Sequence, residues 1–234
     1  MTHYQGDIWG SLPADYPTEQ AERVYRALLV AIPAPSFPRD LIGYGLKGAA
    51  YRYRAMSEYQ DEFEQSILSR LGAAPPSDEE FLQERCLFGF FASGLASLEC
   101  ISFSLHAAAA HSRPTVFKCD NRSLRSVSPE SVAKALAREW PTEALAKSLG
   151  GLVADGGFRD WKELRNVLSH RMVPPRLIQL SSHSPTTSSW YLTKANLSTS
   201  DEPLQTITTH RRAWIAKQIA NVWNAIEASL PLPP

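Results

Sequence analysis

From Leu87 to Ala110 the chain is apolar at almost every position: Leu87, Phe88, Phe90, Phe91, Leu95, Leu98, Ile101, Phe103 and Leu105, then a run of alanines. A helix that is apolar on all sides must be surrounded, by lipid or by other helices. Its length is close to that of a membrane span. Glu99 and His106 interrupt it, several serines dilute it, and no second such stretch accompanies it. The reading is therefore a central helix buried between others, with no membrane partner. Gly89, Ser93, Gly94 and Ser97 are small enough to let another helix approach closely. Glu99 stands alone in this run and needs a partner, because an unpaired buried carboxylate is costly. A salt bridge to Arg165 or His170 is weighed above a catalytic role for it.

The surrounding sequence supplies the other helices. Thr18 caps an expected helix to about Ala31, with Ala21, Val24, Tyr25, Leu28, Leu29 and Ile32 at helical spacing. Pro33, Pro35 and Pro38 form a stiff connector. A long helix follows from Leu41 or Gly45 to Leu71, closed by Gly72. Its first half interleaves Lys47, Arg52 and Arg54 with Tyr44, Tyr51, Tyr53 and Tyr59. Cations among aromatics are one way to hold RNA, by charge and stacking; the plainer alternative is an amphipathic face with solvated arginines. Pro75-Pro76 break the chain, and Ser77 with Glu80 has the spacing of a capping box for the central helix. A basic connection covers Arg113 to Val127. Ser128-Pro129-Glu130 starts a helix to about Trp140, and Pro141-Thr142-Glu143 restarts a shorter one that ends at Gly150-Gly151. After Pro174-Pro175, Leu177–Leu180 and Trp190–Leu192 read as two short strands around a Ser/Thr-rich turn. A last helix spans Ile207 to Leu230. The expected fold is mainly α: a helical bundle with a small β-hairpin excursion, at 177–193, before the C-terminal helix. Residues 1–40 are taken as an N-terminal extension and 41–234 as the helical domain.

Composition narrows the function classes. Across 234 residues, 24 Lys and Arg balance 24 Asp and Glu. Nucleic-acid binding must therefore come from a local patch, with no global charge to drive it. Residues Met1 to Gly10 lack a secretory pattern. The 3 cysteines are odd in number and widely spaced, so neither a disulfide framework nor a zinc site is expected. No glycine-rich phosphate loop or acidic metal cluster occurs, and no cofactor is expected. A cytoplasmic protein is the default.

The chemistry concentrates in the stretch from Phe158 to Arg171. Phe158, Trp161, Leu164, Leu168 and Met172 recur every three or four residues and make one apolar stripe. Asp155 with Gly156-Gly157 starts this helix and Pro174-Pro175 stop it. At about 100° per residue, Arg159, Glu163, Asn166 and His170 share the opposite face. Asn166 and His170 are one turn apart. Arg165 lies on the flank of the apolar stripe, which suits a site completed by a second surface. His170 sits in the last turn, where free carbonyls favour a cationic imidazole.

Arg165-Asn166-Val167-Leu168-Ser169-His170 resembles the motif of the HEPN (higher eukaryote and prokaryote nucleotide-binding) superfamily: an arginine, four to six residues of which the first is often polar, then a histidine. The setting is similar too, a late helix of an antiparallel helical bundle. The resemblance implies a metal-independent endoribonuclease that cuts RNA with the 2′-hydroxyl as nucleophile, at a site formed where two motif helices meet in a homodimer. It implies His170 as acid or base, Arg165 as the phosphate-binding cation, and Asn166 orienting His170 or touching phosphate. Arg159, Arg171, Arg52 and Arg54 are the candidate RNA contacts, with Glu99 and Glu163 in support. A toxin or defence role with an antitoxin or regulatory partner comes with the same family. HEPN toxins controlled by tyrosine adenylylation carry a tyrosine two residues after the histidine; here Met172 stands there, which puts that control in doubt. Many HEPN-like domains do no chemistry, so a non-catalytic RNA-binding or regulatory scaffold is the alternative. A second match, Arg176 to His183, falls in an expected strand and loop and is set aside.

Overall fold

The computed structural model describes residues 12–32, 37–68, 73–170, 173–180, 182–183, 186–190 and 202–230, with only the backbone of Phe37 and His170. The chain is mainly α. In order it forms α1 (Thr18–Ala31), α2 (Phe37–Leu68), α3 (Ser77–Ser112), α4 (Asn121–Leu124), α5 (Pro129–Glu139), α6 (Ala144–Ala154), α7 (Gly156–His170), β1 (Arg176–Gln179), β2 (Thr187–Trp190) and α8 (Leu204–Ser229). The antiparallel hairpin β1–β2 precedes the C-terminal helix, as the sequence predicts. Its second strand begins earlier than expected, at Thr187, and Tyr191 and Leu192 lie outside the described residues.

Two compact units share this chain. The first comprises Met1–Tyr53, Ala96–Asp155 and Ile215–Pro234; the second comprises Arg54–Leu95 and Gly156–Trp214. In the first unit α1 lies along the last turns of α8. Gln20 Nε2 donates to Asn224 Oδ1 at 2.7 Å and Arg23 pairs with Glu227 at 2.8 Å. Val24, Leu28, Ile42, Leu46, Leu105, Ile219 and Trp223 are buried there. Gly45 allows α2 and α3 to touch: a Cβ at that position would collide with Ser104 Oγ, which itself donates to the Ile42 carbonyl at 3.1 Å. The α5–α6 pair completes this core, with Trp140 stacked on Phe117 at 5.8 Å.

In the second unit α2 and α3 run antiparallel. Residue numbers fall along α2 as they rise along α3: Glu62 meets Arg85 at 2.6 Å, Tyr59 meets Gly89 and Met56 meets Gly94. Helix α8 meets α2 through Gln60 and Thr209 at 3.2 Å. The hairpin buries Ser188 and Trp190 on one face and exposes Leu177 on the other.

Several element ends differ from expectation, each for a physical reason. Helix α2 starts at Phe37, before Leu41, because Pro38 falls in its first turn, where a missing N–H breaks no helical bond; its expected end at Leu71–Gly72 lies outside the described residues. Helix α6 passes through Gly150-Gly151 to Ala154. Two glycines weaken a helix by about 1 kcal/mol each, yet Leu145, Leu149 and Leu152 bury one continuous face and carry it on. The expected connection Arg113–Val127 holds a helical turn, α4, nucleated by Asp120, whose carboxylate accepts from the N–H groups of Arg122 and Ser123. Helix α3 is long and apolar enough to cross a membrane, and 67% of its most apolar window is buried within the protein.

Candidate functional site

Helix α7 is built around Trp161. Phe158, Trp161, Leu164 and Val167 are buried, so the apolar stripe includes Val167, while Leu168 is only half-buried and Met172 lies outside the described residues. The Trp161 indole donates to the Phe91 carbonyl at 2.8 Å. Its ring meets Phe90 at 5.5 Å, Phe91 at 5.3 Å and Trp214 at 6.1 Å. Close approach requires Gly94, where a Cβ would strike the indole. The start of α7 is held by Arg211 from α8, which donates to the Gly157 carbonyl at 3.4 Å and to Asp160 Oδ2 at 3.3 Å. The helix is thus fixed at its start and middle, and His170 is its last described residue.

The described motif residues differ in exposure. Arg159 is exposed. Glu163, Arg165 and Asn166 are half-buried, so the face carrying Glu163 and Asn166 is partly covered. The His170 side chain and all of Arg171 lie outside the described residues. Glu99, on α3, is half-buried. Arg52 is exposed, with its guanidinium 5.6 Å from the Tyr51 ring centroid. Arg54 is exposed and engaged by Glu58 at 2.6 Å. Among the described residues, no His, Cys, Asp or Glu side chains gather as a metal site requires.

A second ionic centre was not anticipated. Arg176, in the match set aside above, sits on β1 with a side chain only 2% exposed. Its Nε lies 2.9 Å from Glu84 Oε1, and its Nη2 donates to Gln83 Oε1 at 2.7 Å. Burial raises the Glu84 carboxyl above its ordinary range, and the attraction of Arg176 opposes that rise without cancelling it. Burial likewise lowers the Arg176 guanidinium. No sequence signal linked these residues, since α3 and β1 are far apart in the chain. The cysteines are free thiols; burial pushes Cys86 up to about 12 and also raises Cys100 and Cys119, which suits packing groups and not nucleophiles.

Four clefts lined by described residues are an apolar one of about 40 Å³ at Leu28, Ile32, Ala108, His111 and Leu230, a void of about 10 Å³ at Ser66, Gln83, Ile178 and Ser188, an open one of about 580 Å³ at Leu12–Arg23, and one of about 340 Å³ at Glu64, Gln205, Thr206, Thr209 and His210. None has Arg165 or Asn166 in its wall. Comparison with known proteins adds no relative: no family model matches the chain, and neither a curated protein nor a solved structure matches it significantly.

Proposed function

We propose that α7 carries a HEPN-like, metal-independent endoribonuclease site, with Arg165, Asn166 and His170 as its working residues. The observation that supports this is the mounting of the motif: a helix anchored by Trp161 and Arg211 carries Arg165, Asn166 and the His170 backbone in one continuous helical stretch. In this reading the RNA 2′-hydroxyl attacks the adjacent phosphorus as its proton passes to a base. The bond to the 5′-oxygen breaks, and that oxygen takes up a proton. His170 serves one or both transfers. Arg165 neutralises the charge gathering on the phosphate oxygens, and Asn166 orients the imidazole or contacts phosphate. Arg159 and Arg171 extend the contact to RNA. Arg165 leaves the helix on the flank of the apolar stripe, so a second copy of the chain completes the site.

The test is incubation of RNA with the wild type, Arg165→Ala and His170→Ala in the presence of a chelator. Wild type is expected to leave 2′,3′-cyclic phosphate and 5′-hydroxyl ends, and His170→Ala to cut about 10²–10⁴-fold more slowly. Intact RNA with wild type, or equal cutting by His170→Ala, removes the nuclease reading. The rival is a binding or regulatory module without chemistry. It is favoured by the half-burial of Arg165 and Asn166. Such a module retains RNA and releases it whole.

A further inference from the structure

The first half of α2 turns an aromatic and cationic stripe to the solvent. Tyr44 and Tyr51 are 69% and 64% exposed, although tyrosine rings are ordinarily half-covered or better. They are seven residues apart and so project from one face, about 10.5 Å from each other along the axis. Lys47 lies between them on that face. Arg52 flanks them, exposed, with its guanidinium against the Tyr51 ring. The opposite face fixes the platform: Ile42, Leu46, Ala49, Ala50 and Tyr53 are buried, and the Tyr53 hydroxyl donates to Asp15 at 2.7 Å. From Leu41 to Ser57, between Asp40 and Glu58, the helix contains Lys47, Arg52 and Arg54 and no acid, in a chain whose charges balance overall. On α3, Cys100 lies against Gly48 of this helix, and Glu99 is its neighbour in the chain.

We infer that this stripe is a stacking surface for single-stranded RNA. Exposed rings offer faces to unpaired bases, which a duplex keeps within its own stack. Two rings about 10.5 Å apart span a few nucleotides of an extended strand, and Lys47 and Arg52 lie where its phosphates pass. Exposed Asp40 and Glu58 bound this stretch; between them the face carries cations and no acid, which favours a polyanion over an acidic partner. Arg54 is left out because Glu58 holds it. That the strand is RNA rests on the reading of α7; the stacking surface itself does not.

The test measures binding by the full-length chain to labelled oligonucleotides. A 2′-O-methyl single-stranded RNA is used because it cannot be cut through its 2′-oxygen, so binding is read even where cleavage succeeds or fails. Wild type is expected to bind it and to bind the matching duplex at least tenfold more weakly. Tyr44→Ala and Tyr51→Ala each lose about tenfold, while Tyr44→Phe and Tyr51→Phe keep the ring and the affinity. Arg52→Ala weakens binding and lowers the salt slope by about 0.7. Each variant is first shown to keep the wild-type helical circular dichroism. Equal affinity for duplex, or unchanged binding by the double alanine variant, overturns the proposal. Tighter binding of single-stranded DNA overturns the assignment to RNA. A change in sedimentation of the double variant, with binding intact, makes the face a protein interface and overturns it too. A chain that binds this RNA but cuts none retains the surface and loses only the nuclease reading.

Discussion

At the residue scale the buried ion pair between β1 and α3 shows how burial and attraction compete. Arg176 is nearly inaccessible and Glu84 is 16% exposed, so both lose most of their hydration. Glu84 Oε2 and Arg176 Nη1 find no hydrogen-bond partner among the described residues. The attraction of Arg176 fails to bring the Glu84 carboxyl back to its ordinary range, so the folded protein holds the Glu84 proton more tightly than the unfolded chain does. The contribution of that proton to stability is fully present below the ordinary carboxylate range and is lost as pH rises through the raised value. Replacing both partners with neutral groups of similar size, Glu84→Gln with Arg176→Met, is expected to leave stability at pH 7 unchanged or higher by about 1–4 kcal/mol. Arg176→Met alone strands the carboxylate and should cost roughly 3–5 kcal/mol at pH 7. That loss should shrink at a second, lower pH near the ordinary carboxylate range, where the carboxyl takes up its proton. Urea unfolding of the three chains at both pH values decides; a single variant as stable as the double at pH 7 contradicts the argument.

At the element scale, local chemistry decides what a sequence discloses. The start of α5 was legible because cap, proline and acid are adjacent, and the structure adds a reciprocal pair: the Ser131 N–H donates to Ser128 Oγ at 3.2 Å and the Ser128 N–H donates to Ser131 Oγ at 2.8 Å. Ser128→Ala removes one arm and is expected to cost about 1 kcal/mol, read as a lower unfolding midpoint with an unchanged denaturant slope; a midpoint within error of wild type would show that the proline alone fixes this end. The apolar faces of α1, α7 and α8 were legible for a similar reason, since helical period shows in any short window. The two glycines of α6 misled because propensity is visible locally, whereas the burial of Leu149 and Leu152 that overrides it is not. In the candidate site, Arg165, Asn166 and His170 could be found as a string. Arg211, which pins the start of α7, could not, because Asp160 and Arg211 are brought together only by folding.

At the scale of the whole molecule, the chain's two compact units are threaded by the same helices. The boundary falls inside α2 between Tyr53 and Arg54, inside α3 between Leu95 and Ala96, and inside α8 between Trp214 and Ile215. A unit bounded by flexible linkers can melt alone; a unit bounded by unbroken helices must fray three of them at their centres, where every backbone hydrogen bond is internal. Unfolding should therefore be a single transition. The measurement is hydrogen exchange in low denaturant, comparing α5 in the first unit with α7 in the second. Gly94→Ala drives a methyl into Trp161 and should cost about 1–3 kcal/mol, while Ser128→Ala perturbs only the first unit. If the units are coupled, Gly94→Ala lowers protection in α5 by as much as in α7, and Ser128→Ala lowers both in turn. Protection lost only in the unit that carries the substitution would mean that α2, α3 and α8 open at the boundary and that each unit stands on its own core.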